Sequence, residues 1–145
     1  ENHLAILAML ERLGDEYDVN IAIHNHGRKS WHSLPFVRDD LMAATGRRIG
    51  LCLDTRWLLD TAEDPVAEVE KRFDRLYNLH LMDCVFGRDG RFQDVIPGTG
   101  NLDLPGLLAL LRTKRYRGYM TFEYAGRDDP VGFIRQCIRA VEEAS

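Results

Sequence analysis

Short apolar runs alternate along the chain with longer stretches of helical spacing. Leu4, Leu7, Ala8, Leu10 and Leu13 recur at three- and four-residue intervals, which predicts an amphipathic helix over 2–17, with Gly14 and the charges after it supplying a stop. Val19 to Ile23 is a β-rich run that ends in His24-Asn25-His26-Gly27, and Arg48 to Leu53 is a second that ends in Asp54. Between them a helix is expected from Leu34 to Thr45, closed by Gly46. Asp64-Pro65 opens another, carrying Val66, Val69, Phe73 and Leu76. Leu76 to Leu81 reads as a third strand with His80 near its end, and Cys84 to Gly100 as a Gly-rich, partly polar loop. A helix over Leu104 to Leu111, a strand from Gly118 to Phe122 ending in Glu123, and a helix from Pro130 to Ala144 complete the series. The expected order, α-β-α-β-α-β-α-β-α, implies an α/β fold. Each strand returns through a helix to pair in the same direction, giving four parallel strands covered by helices.

Composition narrows the chemistry. The chain has 145 residues, 45% hydrophobic and 29% charged, the make-up of one globular unit over 1–145 with no linker dividing it. With 19 Lys+Arg against 23 Asp+Glu and no basic run, a nucleic-acid partner is not expected. No apolar stretch approaches the ~20 residues of a membrane span, and the charged residues among positions 1–17 are unlike a signal peptide. Cys52, Cys84 and Cys137 are odd in number and contain no CxxC, which points away from a disulfide framework and toward a reducing, cytoplasmic setting.

The polar strand ends carry the chemistry. His24, Asp54, His80 and Glu123 are separated by 30, 26 and 43 residues, against ~30 for a βαβ step. In a closed parallel sheet all strand C-termini emerge on one face, so these four side chains are expected to converge. Two imidazoles and two carboxylates suit Mn2+, Co2+, Fe2+ or Zn2+ better than a thiolate-type structural zinc site. Taken singly, each has an ordinary role: Asp54 before Thr55 as a helix cap, Glu123 as a partner of Arg127, a histidine as a hydrogen-bonded strand terminus. One metal-capable residue on each of four consecutive strands favours a shared divalent ion.

Ile49-Gly-Leu-Cys-Leu-Asp-Thr55, Leu79-His-Leu-Met-Asp83, Pro97-Gly-Thr-Gly100 and Arg117-Gly-Tyr-Met-Thr-Phe-Glu123 resemble the xylose isomerase-like sugar phosphate isomerase/epimerase barrels from about residue 18 onward. The resemblance implies the C-terminal half of a (β/α)8 TIM barrel. It also implies one divalent metal, foremost Mn2+ with Co2+, Fe2+, Zn2+ or Mg2+ as alternatives, on Asp54, His80 and Glu123. The family's fourth ligand is usually a glutamate, where this chain has His24. That segment is similar to the His-x-His-Met-Gly segment of inosose dehydratases, a lyase branch of the group. Trp57 and Met82 stand where relatives often carry a histidine and a lysine; Trp57 could face a sugar ring or pack, and Met82 is expected to pack. Asp83 is expected either to orient an imidazole or to be solvated.

The implied activity is enolisation of a keto or aldo sugar or a cyclitol, with Glu123 as base or acid and His26 as a second proton carrier. Isomerase or epimerase chemistry leads, inosose dehydration is the alternative, and a decayed sugar-binding barrel is a third reading. An apurinic endonuclease, on a related barrel, is disfavoured by the acidic charge balance. Arg88 and Arg91 could meet an anionic group on the substrate or simply be solvated. Four β/α units leave two open sheet edges, so a fragment of a longer protein, inactive by itself, is expected; pairing with a second copy would be another way to close the ring.

Overall fold

A computed structural model of the protein describes residues 2–124 and 128–145. Along the chain lie α1 (Asn2–Tyr17), β1 (Ile21–His24), α2 (Pro35–Ala44), β2 (Ile49–Asp54), α3 (Thr55–Asp60), α4 (Pro65–Lys71), β3 (Leu76–His80), β4 (Asp83–Phe86), β5 (Phe92–Val95), α5 (Leu104–Thr113), β6 (Tyr119–Thr121) and α6 (Pro130–Glu143). The central sheet is parallel in the order β1-β2-β3-β6, as the α/β rhythm predicts, with β1 and β6 at its edges.

Helix starts follow a recurrent device. Asp64, Asp103 and Asp129 each precede a helix with proline in its first turn, and each accepts a hydrogen bond from a backbone N–H two or three residues on. A carboxylate there satisfies N–H groups that the helix leaves unpaired, while proline has no N–H to lose. Every residue of β2 is buried. Its Leu51 and Leu53 point toward the helices and join Leu58, Val69, Leu79, Leu104, Leu107 and Leu111 in the main core. Each such leucine contributes roughly 1.5–3 kcal/mol of burial. Because side chains alternate along a strand, Cys52 and Asp54 are left to the opposite face.

Two expectations are corrected, and one element is added. The segment from Cys84 to Gly100 is no plain loop: β4 and β5 form an antiparallel hairpin outside the main sheet, Phe86 opposite Phe92, turning through Gly90 at φ +74°. The helix opened by Asp64-Pro65 ends at Lys71 and gives way to a 3-10 turn over Phe73–Arg75 before β3. A further helix, α3, begins directly after Asp54.

Candidate metal centre

The four strand-end residues come together. In the sheet His24 stands opposite Cys52, and Asp54 stands opposite His80. The site therefore has two rows, two residues apart along β2. His24 Nε2 lies 3.7 Å from Asp54 Oδ2, and His80 Nδ1 lies 3.0 Å from Glu123 Oε1. Ligand atoms of Asp54, His80 and Glu123 all fall within 4.8 Å of one another, and so do those of His24, Cys52 and His80. His24 Nε2, Asp54 Oδ2 and His80 Nδ1 are buried without a hydrogen-bond partner. Buried polar atoms are nearly always paired, and ligand atoms left without a hydrogen bond inside two overlapping groups that share His80 fit a site for a cation.

Asp54 plays two parts through two oxygens. Its Oδ1 accepts from Trp57 N–H at 3.2 Å and caps α3, as the simpler reading anticipates. Its Oδ2 faces His24 and, at 3.7 Å, Arg56 Nη2. The backbone of Asp54 is pinned as well: its N–H donates to Asn25 Oδ1 at 2.7 Å, and Asn25 Nδ2 donates to its carbonyl at 3.2 Å. Glu123 is half-buried, and its N–H donates to the sulfur of Met82 at 3.3 Å, so the buried Met82 packs as expected and also supports this residue. Arg127, its suggested partner, lies outside the described residues. Burial holds the His80 pKa below its ordinary value; a charge on His24 acts the same way, and Glu123 opposes it. Burial, with Asp54 and Glu123 adding, pushes the Cys52 thiol up to about 12.

His26 does not join the cluster. It is exposed on the rim, its ring 5.8 Å from that of His24 and 4.6 Å from Trp57. Trp57 is packed among His26, the Arg56 guanidinium at 4.3 Å and Phe92 at 5.3 Å. Gly27, at φ +68°, allows this approach, since a Cβ there would come 2.7 Å from Trp57 Cε3. A cavity of about 610 Å3 beside Trp57 is walled by His26, Arg28, Asp60 and Phe92. Arg28 is tied to Asp60 at 3.1 Å, while Arg88 and Arg91 are exposed on the hairpin.

Asp83 follows neither expectation. It is fully buried, and its carboxylate accepts five backbone N–H groups: those of Cys84, Asn101 and Leu102 on Oδ1, and those of Gly98 and Gly100 on Oδ2. It thereby moulds the Pro97-Gly98-Thr99-Gly100 turn, where a Cβ on Gly100 would come 2.7 Å from Asp83 Oδ1. Sequence reasoning also missed Asn25, Cys52 and Arg56. The last is buried, pairs with Asp94 of the hairpin at 2.9 Å and flanks Asp54. Its signal was its place two residues after a candidate ligand. Among the described residues no helix is long and apolar enough to cross a membrane.

This arrangement can be set beside known proteins. The chain is 32% identical over 129 residues to the rhizopine catabolism protein MocC of Rhizobium meliloti, covering 79% of this chain and 39% of that protein. It is 28% identical over 134 residues to the inosose dehydratase of Salmonella typhimurium, covering 81% and 44% respectively. The chain thus spans about two fifths of the length of these relatives. In fold it matches the 3-keto-D-glucoside 4-epimerase YcjR of E. coli with a TM-score of 0.75 at 17% identity, over 97% of this chain and 52% of that one. The family model of the xylose isomerase-like TIM barrel matches residues 5–143, and the chain belongs to that family.

Proposed function

We propose that these four strands supply the metal-binding part of a divalent-metal-dependent active site that enolises a keto or aldo sugar or a cyclitol. The observation that carries this reading is the gathering of ligand atoms of Asp54, His80 and Glu123 within 4.8 Å of one another, with His24 Nε2 3.7 Å from Asp54 Oδ2 and His24 Nε2, Asp54 Oδ2 and His80 Nδ1 buried without a hydrogen bond. His24, Asp54 and His80 hold the ion, Mn2+ being the first candidate. When bound, such an ion polarises a carbonyl and the neighbouring hydroxyl of the substrate, which acidifies the C–H between them.

Glu123 is the proton acceptor. Asp54 is buried, and one of its oxygens is committed to the α3 cap, whereas Glu123 is half-exposed on the strand-end face, where a substrate would arrive. It takes the proton from the carbon next to the carbonyl. Returned to the neighbouring carbon, that proton yields an isomer; delivered to the opposite face of the same carbon, it yields an epimer. His26, exposed on the rim, is the second candidate proton carrier.

Dehydration is a second reading, favoured by a specific observation. By the resemblance His24 stands where the family has a second glutamate, Glu123 is the half-exposed carboxylate of the cluster, and the chain is 28% identical to an inosose dehydratase. In that outcome Glu123 removes the proton and a β-hydroxyl departs as water after accepting a proton from His26 on the rim.

The test is solvent deuterium exchange into a panel of keto sugars, aldoses and inososes by the full-length protein and its Glu123→Gln variant, with metal analysis alongside. Exchange with about one bound divalent ion, lost in the variant, is expected, and the products then separate isomer, epimer and dehydrated ketone. A protein that binds no metal and exchanges nothing would overturn the proposal.

A further inference from the structure

The metal cluster contains a donor that the strand-end reading does not use. Cys52 and Asp54 are two residues apart on β2, so both side chains leave the strand on the same face. Spacing of i and i+2 lets a strand offer two ligands to one ion. Register brings the sulfur closer still: His24 sits directly across from Cys52, one row below the Asp54 and His80 pair. The sulfur of Cys52 and the ligand nitrogens of His24 and His80 all lie within 4.8 Å of one another. Ligand atoms on one tetrahedral ion are roughly 3.3–3.8 Å apart, so a small side-chain adjustment closes the gap. Both imidazoles in this triad have a buried nitrogen with no partner, which sets Cys52 apart from an isolated buried cysteine.

We propose that Cys52 is a ligand of the same ion, through its thiolate, so that the site prefers the thiophilic ions Zn2+ and Co2+ over Mn2+ and Mg2+. The inference rests on the metal reading above and alters its first choice of ion. Binding breaks the S–H bond and forms a sulfur–metal bond; the proton leaves to solvent and no electrons are transferred. Sulfur below and carboxylates above give the ion one soft and one hard side. The hard side, nearer the half-exposed Glu123, is the one left for substrate oxygens.

Cobalt gives a direct readout that needs no turnover. The protein is titrated with Co2+ under anaerobic conditions, and its visible and near-ultraviolet absorption is recorded beside that of Cys52→Ser. Wild type is expected to show visible ligand-field bands together with a sulfur-to-cobalt charge-transfer band in the near ultraviolet; Cys52→Ser keeps the former and loses the latter. Zn2+ affinity should fall about 10–100-fold or more in the variant, the loss seen even when only supporting groups around a metal are removed, while Mn2+ affinity changes little. Ligand-field bands without charge transfer in wild type would overturn the role of Cys52 and leave the metal site standing. Absence of any cobalt spectrum would overturn both.

Discussion

Asn25 and Asp54 hold each other by reciprocal hydrogen bonds, the N–H of Asp54 donating to Asn25 Oδ1 at 2.7 Å and Asn25 Nδ2 donating to the Asp54 carbonyl at 3.2 Å. This stitch joins the end of β1 to the end of β2 where water cannot substitute, since both residues are buried. Asn25→Leu, similar in size, strands an N–H and a carbonyl and is expected to cost about 1–3 kcal/mol. It should also weaken divalent-metal binding, because Asp54 loses the anchor of its backbone. Urea denaturation and calorimetric metal titration measure the two effects. Wild-type values in both would show that the α3 cap alone fixes Asp54.

Asp83→Asn tests the five-amide cage. The substitution preserves shape but replaces one accepting oxygen with an NH2 group that must face backbone N–H groups. A loss of roughly 1.5–3 kcal/mol is expected, the range for a hydrogen bond to a charged group. Amide hydrogen exchange should accelerate at Gly98 and Gly100, both of which donate to Oδ2. Unchanged exchange there would mean that the turn holds its shape without the carboxylate.

His80 makes stability depend on pH in a definite direction. Burial depresses its folded-state pKa below 6.5, so its contribution to stability is fully present above that value and is lost as pH falls through the folded pKa. Since the charge on Glu123 opposes the depression, Glu123→Gln is expected to lower the His80 pKa further. An NMR titration of the metal-free protein and its variant decides this, and an increase in the variant would contradict the geometry at 3.0 Å.

The sheet was legible because short apolar runs stop abruptly at His24, Asp54, His80 and Glu123, and a parallel arrangement sends all strand ends to one face. The hairpin was harder. Its two four-residue arms, Asp83–Phe86 and Phe92–Val95, flank a turn whose glycines and charges weigh toward loop. The role of Asp83 had no local sign, because four of its five partners are backbone amides 15 to 19 residues away. Cys52 was weighed for disulfides and CxxC motifs, whereas its neighbours at the site, His24 and His80, are supplied by strand register. Asp54 fitted two readings, helix cap and ligand; Oδ1 makes the cap, and Oδ2 is left facing His24.

The strands that bear the donors are unequal in a way that bears on folding. β2 is wholly interior, but β6 is three residues long and exposed at every position, with Tyr119 at 82% of its full accessibility, and it hangs on the sheet edge by its pairing with β3. Glu123 follows two residues later and depends on that docking. A short, exposed edge strand with few buried contacts is among the elements that open most readily. On the proposed reading, fraying of β6 would leave His24, Asp54 and His80 in register while withdrawing the group proposed for proton transfer, so that ion binding and turnover would separate.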